Sequence, residues 1–129
     1  REQAVEAVAK GIALVREQKA QGVTLLATGE MGIGNTTTSS AVASVLLGAP
    51  VQSMTGRGAG LSDAGLVRKI DAIRRGIARN QPNPADPLDV LAKLGGFDIA
   101  GLCGVFLGGA LLCPPLLLAM NLKSAKPFS

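Results

Sequence analysis

Apolar stripes alternate with glycine-rich breaks along this chain, and their spacing predicts its elements. Val5, Val8, Ile12 and Val15 recur at helical intervals, so Glu2 to Gln21 reads as an amphipathic helix stopped by Gly22. Val23 to Thr28 is a short apolar run rich in β-formers and reads as a buried strand. A glycine loop follows, Gly29-Glu30-Met31-Gly32-Ile33-Gly34, and Asn35 is placed to cap a helix running to about Leu47, with Gly48 ending it. A second strand is expected near Val51 to Met54, then a second glycine loop, Gly56-Arg57-Gly58-Ala59-Gly60. Ser62 is the expected cap of the next helix, whose stripe is Leu66, Ile70, Ile73 and Ile77 and which Pro82-Asn83-Pro84 breaks. Asp86 as N-cap and Pro87 at the first position open another helix, carrying Leu88 and Leu91 and stopping at Gly95-Gly96. Asp98 is expected to cap a glycine-rich apolar helix toward Gly109. Strand, glycine loop and helix in that order make half of a parallel α/β unit. No internal repeat and no linker divides the chain.

Composition narrows the class. A chain of 129 residues and 13.0 kDa is one small domain that can bury a core, and 47% hydrophobic against 17% charged residues excludes disorder. Three Phe with no Trp or Tyr argue against nucleic-acid modules that stack bases on aromatic faces. The absence of His removes Ser-His, Cys-His and His-metal chemistry. Cys103 and Cys113 lie in apolar surroundings and read as buried free thiols of a cytoplasmic protein, not as a disulfide framework. The chain begins with Arg and shows no signal peptide, so it is expected to be a piece of a longer chain. Ile99 to Leu122 carries no charged side chain, but Gly101, Gly104, Gly108, Gly109 and Pro114-Pro115 favour a buried helix plus strand over a membrane span.

The formal net charge is +4. Arg57, Arg68, Lys69, Arg74, Arg75 and Arg79 against Asp63 and Asp71 already account for it, six minus two, so the basicity is local. Most of these side chains read as the solvated face of a helix. Arg68 or Lys69 is the candidate to reach an anion held by the first loop, and the sequence does not say which points inward.

That loop carries the candidate chemistry. It precedes a helix N-terminus bearing Asn35, Thr36 and Thr37, where free N–H groups and the dipole suit a phosphate. Its order, G-x-x-G-x-G, is neither the dinucleotide fingerprint nor a Walker A loop, which argues against a dinucleotide-dependent oxidoreductase. Glu30 is unusual beside a phosphate cradle. A carboxylate there can accept from sugar hydroxyls, stabilise a cationic sugar centre or take a proton, or it can simply complete the helix dipole.

The string Gly29 to Thr37 resembles the signature of the nicotinate-nucleotide:dimethylbenzimidazole phosphoribosyltransferase family. Gly56 to Asp63, Asn80-Gln81-Pro82-Asn83-Pro84 and Asp89 to Asp98 are similar to its downstream blocks, so the resemblance runs in order from about Glu2 to Ala110. It implies an α/β fold with a Rossmann-like parallel sheet flanked by helices, incomplete here, in a homodimeric enzyme. It also implies transfer of phosphoribose from nicotinate mononucleotide to 5,6-dimethylbenzimidazole, giving nicotinate and α-ribazole 5′-phosphate in cobalamin lower-ligand synthesis. No metal or redox cofactor is implied. Gly32, Gly58 and Lys69 correspond to contacts with the 5′-phosphate, Gly34 and Asn35 belong to the same cradle, and Glu30 corresponds to an active-site acid.

The family's principal base is a glutamate in a C-terminal segment that these residues do not match. Residues 1–110 are therefore expected to be the central part of the family domain. Residues 111–129 are expected to be a divergent tail, which a change of reading frame near Ala110 would explain. A phosphate cradle with incomplete catalysis is the expectation, and a non-catalytic nucleotide- or phosphate-binding fragment is the alternative.

Overall fold

Helices account for all the regular structure of residues 1–30 and 32–112, the part that the computed structural model describes. They are α1 (Glu2–Ala20), α2 (Asn35–Leu46), α3 (Val51–Met54), α4 (Asp63–Asn80), α5 (Pro87–Leu94) and α6 (Phe97–Leu112). The packing has two parts. α1 lies along α6, while α2, α3, α4 and α5 surround a core of Ala41, Ile73, Val90 and Leu94. Val42, Val45, Val51 and Ile77 pack against that core.

Where the chain ends its helices by local chemistry, expectation and structure agree. Gly22 turns the chain at φ 82° after α1, and Gly48 does so at φ 59° after α2. The Ser62 hydroxyl accepts from the Gly65 N–H at 3.2 Å and starts α4. Asp86 Oδ1 accepts from the Leu88 and Asp89 N–H groups at 3.1 and 3.2 Å, with Pro87 at the first helical position.

The expected Rossmann-like parallel sheet is absent among the described residues, and the fold there is all-helical. Val23 to Thr28 carries no regular structure and makes no ladder bonds to another described segment, its one backbone bond of this kind running from the Val23 N–H back to the Gln18 carbonyl. Val51 to Met54, the second expected strand, closes instead into the single turn α3. Pro50 sets the entry with φ −56° and ψ 135°, and its carbonyl accepts from the Ser53 and Met54 N–H groups. Thr55 Oγ1 then donates back to the Val51 carbonyl at 2.6 Å. Without that partner strand, a parallel pair cannot form in this stretch.

Other local corrections have physical causes. The N-cap of α2 is Gly34, at φ 86°, so Asn35 is the first residue inside the helix and not its cap. Phe97 opens α6, so Asp98 lies within its first turn. The buried line of α1 is Ala4, Gly11 and Val15, whereas Val5 is 45% exposed. Small residues face inward because α1 and α6 approach at backbone distance. A Cβ on Gly11 would stand 2.1 Å from the Gly101 carbonyl oxygen, and one on Gly104 would stand 2.0 Å from that of Val8. Cys103 is exposed, not buried, because it lies on the side of α6 turned away from α1. Cys113, the strand expected after α6 and residues 113–129 of the expected tail lie outside the described residues. Among the described residues no helix is long and apolar enough to cross a membrane.

The α5 cap carries a pH dependence. The Arg1 guanidinium bonded to Asp86 holds that carboxyl below its ordinary 3.8, and the cap N–H groups of Asp89 and Leu88 add to this. Asp89 is lowered chiefly by the Asn83 N–H, then by Lys93. Both carboxylates are more acidic folded than unfolded, so their contribution is complete above pH 3.8 and is lost as the pH falls through the folded values. Thermal melts followed by circular dichroism should therefore show the midpoint dropping below about pH 4. The drop should be shallower in Asp86→Asn, which keeps a capping oxygen and loses the titration. An equally steep drop in that variant contradicts the assignment.

Candidate functional site

Four glycines with left-handed backbone wall one cleft. Gly32 and Gly34 come from the first loop at φ 82° and 86°, and Gly58 and Gly60 from the second at φ 59° and 103°. The cleft is about 350 Å3 and lies over the N-terminus of α2, where unpaired N–H groups and the helix dipole favour negative charge. The second loop sits close over α2. A Cβ at Gly58 would stand 2.9 Å from Thr36 Oγ1 and 3.7 Å from Lys69 Nζ, so only glycine lets the loop come this near.

Lys69 supplies the charge. Gly65, Lys69 and Ile73 form the buried line of α4, which turns Lys69 inward and leaves Arg68, Arg74, Arg75 and Arg79 in solvent. Lys69 is only 8% exposed. Its Nζ donates to Thr36 Oγ1 at 2.9 Å and to the Gly56 carbonyl at 3.0 Å. Burial pushes its ammonium below the usual 10.5. Among the described residues no carboxylate pairs with it, since the ion pairs are Arg1–Asp86, Arg57–Asp63, Arg75–Asp71 and Lys93–Asp89. A buried cation whose only partners are neutral oxygens is poised for an anion.

Arg57 also lines the cleft, but its guanidinium is engaged. It pairs with Asp63 and donates to the Leu61 carbonyl at 2.9 Å, which fixes the shape of the second loop. Glu30 stands at the cleft edge, and its carboxylate accepts from the Gly32 N–H. The same side chain lines a neighbouring cavity of about 750 Å3 beside α1 and α6, together with Glu6, Lys10, Phe97 and Asp98. An acid therefore sits between the glycine-walled cleft and a larger, mostly apolar hollow.

Of the residues singled out from sequence, Gly32, Gly34, Gly58 and Lys69 meet in one cleft, and Glu30 touches it through the Gly32 amide. Asn35 is not brought there. It turns toward α6, beside Asp98 and Leu102, where its Oδ1 is enclosed with no hydrogen-bond partner. Thr36 is the contributor whose own role sequence reasoning missed. Its signal was available: a hydroxyl in the first turn of a helix that follows a glycine loop.

A family model described as Phosphoribosyltransferase matches residues 1–118. A nicotinate-nucleotide–dimethylbenzimidazole phosphoribosyltransferase of Ruminiclostridium cellulolyticum is 56% identical over 118 residues, which is 92% of this chain and 34% of that protein. A relative of the same description from Desulforudis audaxviator is 58% identical over 110 residues, 85% of this chain and 31% of its own. The crystal structure of the Thermus thermophilus phosphoribosyltransferase of that description superposes with a TM-score of 0.77 at 39% identity, over 91% of this chain and 34% of that one. The chain thus spans about a third of the length of the relatives it matches. With its glycine cleft, buried lysine and these matches together, the chain belongs to the phosphoribosyltransferase family that includes the nicotinate-nucleotide–dimethylbenzimidazole enzymes.

Proposed function

We propose that this chain provides the phosphate grip for phosphoribosyl transfer from nicotinate mononucleotide to 5,6-dimethylbenzimidazole. The observation that carries the reading is Lys69, a buried ammonium without a carboxylate partner among the described residues, set against a cleft of four left-handed glycines. Lys69 and the α2 N-terminus hold the 5′-phosphate of the donor, with Gly32, Gly34 and Gly58 letting the backbone approach.

In the reaction, the bond from the anomeric carbon to the pyridinium nitrogen breaks and its electron pair stays with nicotinate. A new bond forms from that carbon to one benzimidazole nitrogen, and the acceptor loses its N–H proton to a base. The cationic leaving group needs little acid assistance. Positive charge grows on the sugar, and Glu30 at the cleft edge is the carboxylate assigned to face it. The relatives' names support both substrates. The reading extends to a homodimer, for which exposed Leu107 and Leu111 on α6 leave apolar surface, and to a cytoplasmic setting, which suits a free Cys103 thiol.

A second reading, phosphate binding without turnover, is favoured by the match to only a third of the relatives' length. Titration and a transfer assay separate the two. Nicotinate mononucleotide is expected to bind saturably and to be displaced by inorganic phosphate. Transfer to 5,6-dimethylbenzimidazole should fall at least about 100-fold below that of a full-length relative, the loss that a missing general base alone produces. Measurable transfer at that reduced level keeps the first reading, and binding with none at all supports the second. Binding that phosphate does not displace would sink both.

A further inference from the structure

The hydroxyls of α2 divide into two kinds. Thr38 and Ser39 donate to the Asn35 carbonyl at 2.8 and 2.9 Å, Ser40 donates to that of Thr36 at 2.8 Å, and Ser44 to that of Ser40 at 2.8 Å. Each proton is used inside the helix. Thr37 makes no such bond and lines the glycine cleft as well, but only Thr36, the second residue of α2 with no helical carbonyl one turn behind it, also meets Lys69. Its Oγ1 is an acceptor here, because an ammonium has protons and no lone pair to offer. The Thr36 proton therefore has no acceptor among the described residues, and Thr36 lines the glycine cleft. Lys69 likewise uses two of its three protons, on Thr36 Oγ1 and the Gly56 carbonyl, while only 8% of its surface is open to water.

We propose that Thr36 is a phosphate-contacting residue of this cleft, its hydroxyl accepting from Lys69 Nζ while donating its own proton to a phosphoryl oxygen. The inference rests on the phosphate-grip reading above and adds to it a ligand and a positioning role. Thr36 fixes where the Lys69 ammonium stands, and the anion takes the third Lys69 proton and the Thr36 proton together. A bound oxyanion is what completes both groups at once.

Titration of the chain with inorganic phosphate and with nicotinate mononucleotide, followed by phosphorus NMR, tests this. Thr36→Val, which keeps the shape and removes the hydroxyl, is expected to weaken both ligands about tenfold. Thr36→Ser should bind within about twofold of the unsubstituted chain, since the hydroxyl is retained. The alkaline fall in phosphate affinity should move to lower pH in Thr36→Val, because Lys69 loses an acceptor that favours its charged form. A chain that binds neither ligand overturns the phosphate-grip reading, and this inference with it. A chain that binds both, with Thr36→Val unchanged in affinity and pH profile, overturns this inference alone. Should circular dichroism show Thr36→Val unfolded, the hydroxyl proton of the unsubstituted chain decides. Phosphate is expected to slow its exchange with water, and unchanged exchange overturns the proposal.

Discussion

Gly104→Val is expected to destabilise the chain by about 3 kcal/mol or more, a large share of the roughly 5–15 kcal/mol that holds a domain of this kind folded. The cause is geometric. α1 and α6 pack with a glycine on each side, and the Cβ that valine brings to position 104 falls 2.0 Å from the Val8 carbonyl oxygen and 3.0 Å from Gly11 Cα. These are backbone atoms, so no side-chain rotation relieves the overlap. The helices must separate, and the burial of Val15 against α6 goes with them. Gly76→Ala is the internal control. Nothing lies within 4 Å of a Cβ there, on the half-buried surface of α4, so replacing glycine by alanine should stabilise by about 0.5–1 kcal/mol through helix propensity and the unfolded chain. Urea titrations of both variants give the two signs. A Gly104→Val midpoint equal to that of the unsubstituted chain would mean the α1–α6 contact is not what stabilises the fold.

The features legible in the sequence are the ones decided within a few residues. Ser62, the Asp86-Pro87 pair, Gly22 and Gly48 mark helix ends by capping and by positive φ, and the structure uses each of them so. The two expected strands do not form among the described residues, because a strand is defined by a partner. Val23 to Thr28 has the composition of one and no ladder bond to another described segment, and Pro50 commits Val51 to Met54 to a turn. The inner face of α1 was legible except at one end. Val15 is fully buried and Val8 and Ile12 are half-buried against α6, as their spacing predicts, whereas Val5 is exposed; the glycines of α6 bring the backbones so close that Ala4 and Gly11 are buried as well.

The site shows the same division. Both glycine loops were legible as loops, the first by its place before a helix N-terminus, and the structure brings them to one cleft. The choice between Arg68 and Lys69 depended on helix phase, which Gly65 and Ile73 at four-residue spacing settle in favour of Lys69. Asn35 was expected at the N-cap; Gly34 takes that position, and the one-residue shift turns the amide toward α6.

Lys69→Met should separate binding from stability, because one substitution is expected to weaken the first without weakening the second. Phosphate affinity should fall by about 10- to 100-fold, the range for a hydrogen bond to a charged group. Methionine fills a similar volume without a charge, so the desolvation that depresses the Lys69 ammonium disappears, and the melting temperature should be unchanged or higher. The pH dependence follows from the sign of the shift. A lysine whose folded value lies below 10.5 is charged less readily in the fold than in the unfolded chain. The fold therefore bears a penalty at neutral pH that is relieved as the pH rises through the folded value toward 10.5. The stability gap between Lys69→Met and the unsubstituted chain should narrow over that interval. Phosphate affinity of the unsubstituted chain should decline over the same interval, as the ammonium that grips the anion loses its proton. Calorimetric titration and thermal melts from about pH 7 to about pH 11 measure both curves. If Lys69→Met bound phosphate as tightly as the unsubstituted chain, the cleft would hold its anion by backbone amides alone, and the buried ammonium would be a packing feature of α4.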